Sequence, residues 1–182
     1  MTAEAFAERA LEPDYENMLV ELVEGKLVEM SKPGGLHGLI AGNIFAHIWN
    51  HVRQNKLGYV TAAETGYIVA RRPDGRDSVR GLDVGFIRNE RLPDGMPAGH
   101  IPLGPDLAVE VISDGNTALG IHSKVLELQA AGTALIWLVY PDTQTVTVHT
   151  RDGAKIYEID DTLDGGDVLP GFTLALRDMF TG

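Results

Sequence analysis

The sequence predicts an α/β domain in which a mixed β-sheet is flanked by helices. Three observations predict it. Compact, β-branched apolar runs at 82–87, 107–112 and 134–140 read as buried strands. Ile40, Ile44, Ile48 and Val52 fall four apart, the period of a helix with one apolar face. Strand text and helix text also interleave along a chain with no Pro/Ser-rich linker to divide it. The chain has 182 residues, enough for one sizeable core. Residues 1–18 are expected to form a lead-in and residues 19–182 a single domain.

The elements follow in order. Residues 1–18 are acidic and weakly apolar, a short helix or an extended segment. LVELVEGKLVEM at 19–30 places two apolar runs around Glu24-Gly25, a hairpin signature. SKPGG at 31–35 is a loop, and the amphipathic helix runs from Leu36 to Val52 with Gly58 just past it. Residues 59–70 read as a strand, followed by a turn at Pro73-Asp74-Gly75. A short strand covers Leu82 to Ile87, and residues 89–105 form a long loop rich in Pro and Gly. Leu107 to Ile112 reads as a central strand. Ile121, Val125 and Leu128 mark a second helix closed by Gly132, and Ala134 to Tyr140 is a strand stopped by Pro141. Residues 144–150 alternate as a half-buried strand, a further hairpin is expected near 154–159, and the chain closes with VLPGFTLAL.

Composition narrows the chemistry. With no cysteine there is no disulfide scaffold, thiolate zinc site or cysteine nucleophile. No apolar run approaches the roughly 20 residues that span a bilayer. The acidic start lacks the apolar core of a signal peptide, so a cytoplasmic protein without membrane contact is expected. The formal charge is −11, which argues against a globally basic grip on nucleic acid. Residues 71–91 depart from that balance, with six arginines against four acids. Any phosphate substrate would therefore be bound weakly, with dependence on salt and metal.

Three acids sit inside apolar strand text: Glu21, Asp83 and Glu110. An ionised carboxylate in such company is costly unless a metal, a cation or backbone N–H groups meet it. Strand alternation puts Asp106, Ala108, Glu110 and Ile112 on one face and Leu107, Val109 and Val111 on the other. Carboxylates converging from neighbouring strands would suit Mg²⁺ or Mn²⁺. Alternatively, each could cap a strand end or pair with an arginine. Lys124 lies at the edge of the second helix's apolar stripe, either reaching into the carboxylates or snorkelling outward.

These pieces together resemble the Uma-two family of small, mostly bacterial restriction-endonuclease-type proteins, within the PD-(D/E)XK nuclease superfamily. The resemblance runs from about Leu19 to Phe180. It rests on Glu21-Leu22-Val23-Glu24-Gly25-Lys26-Leu27, His37, Leu82-Asp83-Val84, and Pro105 through Ser113. Lys124, Ala131-Gly132, Trp137-Leu138-Val139 with Pro141, and Leu169-Pro170-Gly171-Phe172 complete it. It implies a restriction-endonuclease-like core and metal-assisted hydrolysis of DNA phosphodiesters. Asp83 and Glu110 would be metal ligands for Mg²⁺ or Mn²⁺, Glu21 an auxiliary acid and Lys124 the catalytic cation. The superfamily's lysine normally stands two residues after the second acid, where this chain has Ile112, so here the lysine would come from the helix. Leu82, Asp114, Leu128 and Tyr140 also replace residues usual in the family.

Other candidates are weaker. His37 shares a helical face with Ile44 and Ile48, and either contacts the substrate phosphate or metal site or satisfies a carbonyl. Arg80, in the arginine-rich stretch, is a candidate substrate contact. His47 and His51 have a metal-binding spacing but no third ligand. His100, His122 and His149 look like ordinary loop, helix and strand residues. Ser113 has no evident His–Asp pairing. A glycosidase built on Asp83 and Glu110 is conceivable, although an aromatic content of 7% gives little of a sugar platform. Asp114-Gly115-Asn116 reads as a turn and helix cap. Two readings emerge, a Mg²⁺-dependent endonuclease and an inactive nuclease-fold binding or assembly module. A homodimer is compatible with both.

Overall fold

The computed structural model describes residues 1–15 and 18–182, so part of the expected lead-in, residues 16–17, lies outside the described residues. A short helix α1 (Ala3–Arg9) precedes the hairpin β1 (Leu19–Val23) and β2 (Lys26–Met30). Glu24 and Gly25 both take positive φ, 49° and 79°, as a two-residue hairpin turn requires. Helix α2 (Gly35–Asn55) leads to β3 (Gly58–Ala70) and β4 (Ser78–Arg88). After the loop come β5 (Leu107–Val111), α3 (Ala118–Ala130), β6 (Leu135–Tyr140), β7 (Thr145–Thr150) and β8 (Gly153–Tyr157). The chain closes with β9 (Thr162–Asp164), β10 (Thr173–Ala175) and α4 (Leu176–Phe180).

The main sheet is mixed, as expected for an α/β domain. Its order is β2-β1-β4-β5-β6-β7-β8, with β3 paired to β4. β5 and β6 run parallel, joined by α3 as the crossover a parallel pair needs. β3 pairs with β4 along nearly its whole length, from Ala70↔Ser78 to Gly58↔Arg88. The other edge of β4 must therefore serve two partners. β1 meets it at Leu22↔Val79, and β5 meets it from Val84↔Val109 to Phe86↔Leu107. Between these contacts, residues 80–83 face a fork.

Two faces of the sheet are covered. Ile40, Ile44, Ile48 and Val52 are all but fully buried and pack from α2 against Val84, Phe86, Val109 and Trp137. Each such side chain contributes about 1.5–3 kcal/mol, which anchors the helix and fixes His37 in its first turn. On the opposite face, Val125 and Leu128 of α3 cover Ala108, Ile136 and Leu138. β9, β10 and α4 close the α2 side through Leu163, Leu174, Leu176 and Met179.

The structure corrects several element bounds. β4 is eleven residues, longer than the expected 82–87. It continues through Arg80 because that charge is paired, and through Gly81 because its missing side chain makes room described below. The segment near 154–159 is not a hairpin of its own. β8 is the second arm of a hairpin with β7, in the register Thr150↔Gly153 to Val146↔Tyr157. Helix α2 runs to Asn55, past the expected Val52, and closes at Lys56, which turns left-handed at φ 53°. Gly58 is needed in β3: a Cβ there would stand 2.0 Å from the Ile87 carbonyl oxygen. The small β9–β10 sheet and α4 lie in text that had given only VLPGFTLAL.

Asp77 ties α1 to the start of β4. Its Oδ2 accepts from the Ala3 N–H at 3.0 Å and its Oδ1 from the Arg72 N–H at 2.9 Å. Burial opposes its ionisation, but these N–H groups and Arg71 outweigh burial and hold its pKa below the usual 3.8. A depressed acid stabilises the fold above its unfolded pKa, and that stabilisation is lost as pH falls through the folded value. Asp77→Asn is expected to cost about 1–3 kcal/mol at pH 7 and progressively less below about pH 4. Urea unfolding across that range checks it; an unchanged midpoint at pH 7 would refute the role.

Candidate active site

The fork beside residues 80–83 is where the conspicuous acids meet. In a continuous ladder the N–H and C=O of Gly81 would pair with a neighbouring strand. Here side chains answer both. Glu21 Oε1 accepts from the Gly81 N–H at 3.0 Å, and Lys124 Nζ donates to the Gly81 carbonyl at 2.7 Å. Lys124 also donates to Glu110 Oε2 at 2.8 Å and lies 3.0 Å from Glu21 Oε1. The lysine left open between reaching in and snorkelling out reaches in, from one turn inside α3, with its side chain 11% exposed.

A second row of charges stands behind the first. Arg80 donates through Nη1 to Glu21 Oε2 at 2.9 Å and through Nε to Glu127 Oε2 at 2.7 Å. Ser78 Oγ donates to Glu127 Oε1 at 2.9 Å. Glu127 follows Lys124 by three residues, so both project from one side of α3. The buried sequence Glu127–Arg80–Glu21–Lys124–Glu110 alternates in sign from end to end.

Asp83 stands at the other side of the fork. Beyond the last β4–β5 ladder pair, its Oδ2 accepts from the Val111 N–H at 2.7 Å and lies 3.2 Å from His37 Nε2. Val84 and Phe86 pack on the α2 face, whereas Leu82 and Ile87 pack on the α3 face, so simple alternation breaks across Asp83. Opposite it, β3 carries a bulge between the pairs Ala62↔Val84 and Thr65↔Leu82. Ala63 and Glu64 take positive φ, 57° and 58°, and Glu64 is turned toward Asp83. A Cβ on Gly81 would stand 2.8 Å from Glu64 Oε2, so glycine is what admits this carboxylate.

Acid outnumbers base in the cleft, and the titrations show it. Burial raises Glu110 to about 8, helped by Asp83 and Glu21 and opposed by Lys124. Burial and the hydrogen bond with Asp83 raise Glu64 to about 7. Burial works against ionisation of Asp83 as well, but His37 and the Val111 N–H outweigh it and lower its pKa. Glu21 is lowered because Lys124 and Arg80 outweigh its burial. Lys124 loses to burial but gains more from Glu110 and Glu21, and is held above the ordinary lysine range. Asp83 raises His37 against its burial.

Of the residues singled out from sequence, Glu21, Arg80, Asp83, Glu110, Lys124 and His37 all come together at the fork. Arg80 is committed to two carboxylates, with only Nη2 lacking a partner. Glu64 and Glu127 were missed: Glu127 reads as a solvated helix charge, and the bulge that aims Glu64 has no glycine to announce it. His51 Nε2 lies 3.1 Å from the Pro170 carbonyl, His47 is exposed, and His100 stacks on Phe6 at 5.2 Å. Asn116 Oδ1 accepts from the Ser113 N–H at 2.8 Å, and Thr117 is the N-cap of α3. The local arginine surplus is consumed. Arg71 meets Glu4, Arg72 meets Glu24, Arg76 meets Asp74, Arg80 meets Glu21, Arg88 meets Glu90 and Arg91 meets Asp106. Among the described residues, no group of three or more His, Asp or Glu stands in metal-ligating arrangement, and no helix is long and apolar enough to cross a membrane.

The sequence matches the Uma2 family, described as "Putative restriction endonuclease", over residues 3–177. The chain belongs to the Uma2 family. A crystal structure of a "putative nuclease belonging to DUF820" from Anabaena variabilis ATCC 29413 superimposes with a TM-score of 0.83 at 22% identity. The match covers 99% of this chain and 97% of that one, so the two share a fold. Among curated proteins no sequence matches. For this Uma2 protein the restriction-endonuclease-type family and the shared fold support a nuclease.

Two substitutions probe the electrostatics. Arg80→Met leaves Glu21 and Glu127 buried without their shared partner, and should cost about 3–5 kcal/mol in urea unfolding. Glu64 has a folded pKa above its unfolded value, so it lowers stability as pH rises from about 4.5 through about 7. In metal-free buffer Glu64→Gln should therefore stabilise the protein by about 1–3 kcal/mol at pH 8 and by little at pH 4. A variant less stable than wild type at pH 8 would contradict the burial of that charge.

Proposed function

We propose that this protein is a DNA endonuclease that hydrolyses phosphodiester bonds with a divalent cation, Mg²⁺ or Mn²⁺. The observation that carries the reading is Glu110 Oε1, a buried carboxylate oxygen with no hydrogen-bond partner. It stands in a cleft to which Asp83 and Glu64 add further carboxylate oxygens. Such a donor set fits a hard cation. Asp83 and Glu110 would hold it, and a cation bound there lowers the pKa of water and offsets charge on a phosphate.

The chain's own groups supply the rest. Lys124 keeps its proton and is the cation that orients an attacking water or offsets charge developing on phosphoryl oxygens. Glu21 is the auxiliary acid, holding Lys124 in place while Arg80 holds Glu21. His37 is oriented by Asp83 through Nε2 and keeps its buried Nδ1 without a partner. An open groove of about 720 Å³ adjoins His37 and is lined by Lys32 and by Gly34 and Gly35 at the start of α2. Backbone N–H groups at a helix start favour an anion. With the six arginines of residues 71–91 paired, that stretch offers little free positive charge, so binding should be weak and sensitive to salt.

A nuclease fold serving as a binding or assembly module without turnover is the second reading. It is favoured by the absence, among the described residues, of three side chains in metal-ligating arrangement, and by Lys124 already having three partners.

Incubation with supercoiled plasmid in Mg²⁺ or Mn²⁺ separates the two. Nicking is expected, reduced at least about a hundredfold in Asp83→Ala and in Glu110→Ala. Absence of nicking, or nicking that survives both substitutions, would overturn the enzyme. Calorimetric titration with Mn²⁺ gives an independent readout: binding lost in Glu110→Ala supports the site, and no binding at millimolar metal supports the module.

A further inference from the structure

We propose that a partly open cavity beside the site takes one unpaired nucleobase of the substrate strand, an inference that rests on the nucleic-acid reading above. The cavity holds about 220 Å³ between the β1–β2 hairpin and α3. Val28 and Met30 line it from β2, and Ile121 and Val125 line it from α3. Arg80, Glu21, Glu110 and Lys124 supply its charged end, and Glu29, Asn116 and Thr117 add polar groups at its rim. It adjoins the open groove beside His37, since Ile112 and Gly115 line both. Ser31 closes on Gly115 where the two meet: a Cβ on Gly115 would stand 3.1 Å from Ser31 Oγ. A strand with its phosphates along the groove would therefore run beside the cavity, with the Ser31–Gly115 contact as the threshold a base must pass to enter it.

The chemistry of the walls selects the occupant. Apolar side chains from two different elements suit the flat faces of a heteroaromatic ring, and the charged end suits its polar edge. A phosphate or a sugar would gain nothing from the apolar walls, and an aliphatic ligand would leave Arg80 unmet. Arg80 is 5% exposed, and its Nη2 has no hydrogen-bond partner. Glu21 and Glu127 hold the rest of the guanidinium, so this donor is fixed in position and suits a carbonyl oxygen or ring nitrogen. The volume is below the roughly 300–1,000 Å³ of pockets for drug-sized ligands, which suits a single base and excludes a base pair. A paired, stacked base cannot enter, so the substrate must be single-stranded, distorted, or open enough to extrude a base.

The test compares short strands with the same number of phosphates. A five-residue abasic strand is measured by fluorescence anisotropy against strands carrying one central base, each of the four in turn, in Ca²⁺. At least one base should tighten binding roughly tenfold, the scale of one well-stacked base. Val28→Trp fills the cavity from an edge strand where Val28 is 39% exposed, so the core need not repack. Thermal unfolding confirms that the variant is folded. It should lose the preference for the base and keep the affinity for the abasic strand. Equal binding of abasic and all four base-bearing strands would overturn the cavity while leaving the phosphate contacts standing. A preference that survives in Val28→Trp would overturn it by placing the base elsewhere. Binding of neither strand would overturn the nucleic-acid reading as well.

Discussion

β4 has one edge and two strands to satisfy with it. β3 takes the other edge almost completely, so β1 and β5 divide what remains and leave a gap at residues 80–83. Backbone groups in such a gap cannot stay unpaired in a buried sheet. Glu21, Lys124 and Asp83 supply the missing partners, and that requirement draws acids from three strands and a lysine from a helix to one place. The position of the site follows from the topology of the sheet.

The electrostatics follow from that crowding. A buried ion pair is favourable only when its geometry is good and its remaining donors and acceptors are met. The row Glu127–Arg80–Glu21–Lys124–Glu110 meets that condition at Glu21 and Lys124, while Arg80 keeps Nη2 without a partner. Its end does not: Glu110 keeps one oxygen unmet, and Glu64 is crowded against Asp83, which with burial raises its pKa to about 7. The cleft is thus stable on its Arg80 side and charge-frustrated on its Asp83 side. Such asymmetry separates a structural half from a half that gains by taking up positive charge.

Much of this was legible in the sequence because local rules and tertiary packing agree. The four-residue spacing from Ile40 to Val52 became α2 because that stripe covers the sheet. Glu24-Gly25 became a hairpin turn because Gly25 takes positive φ at no steric cost, while the Glu24 N–H is held by Ser78 Oγ. Glu21, Asp83 and Glu110 were conspicuous because carboxylates in apolar strands need a reason. Lys124 was readable only as a position on a wheel, since which way a lysine bends depends on what lies across from it. Glu64 was invisible because its placement depends on a bulge opposite Asp83, a relation between two strands that neither shows alone. The pairing of the arginines was hidden in the same way: residues 71–91 look basic in one dimension, but their partners at Glu4, Glu21, Glu24 and Asp106 come from elsewhere in the chain.

The side-chain capping of Gly81 has a further consequence. In many enzymes the active centre is a local liability, and replacing its polar groups by inert ones makes the protein sturdier at the expense of turnover. Here Glu21 and Lys124 complete the hydrogen bonding of a central strand. Their removal would open the sheet as well as the site, so the customary exchange of activity for stability is not available at these two positions. Drift away from chemistry would have to begin elsewhere, at Glu110, Glu64 or His37, whose atoms the sheet does not need. Changes at those three positions would remodel the cleft while the Glu21–Lys124 pair continued to hold the strand together.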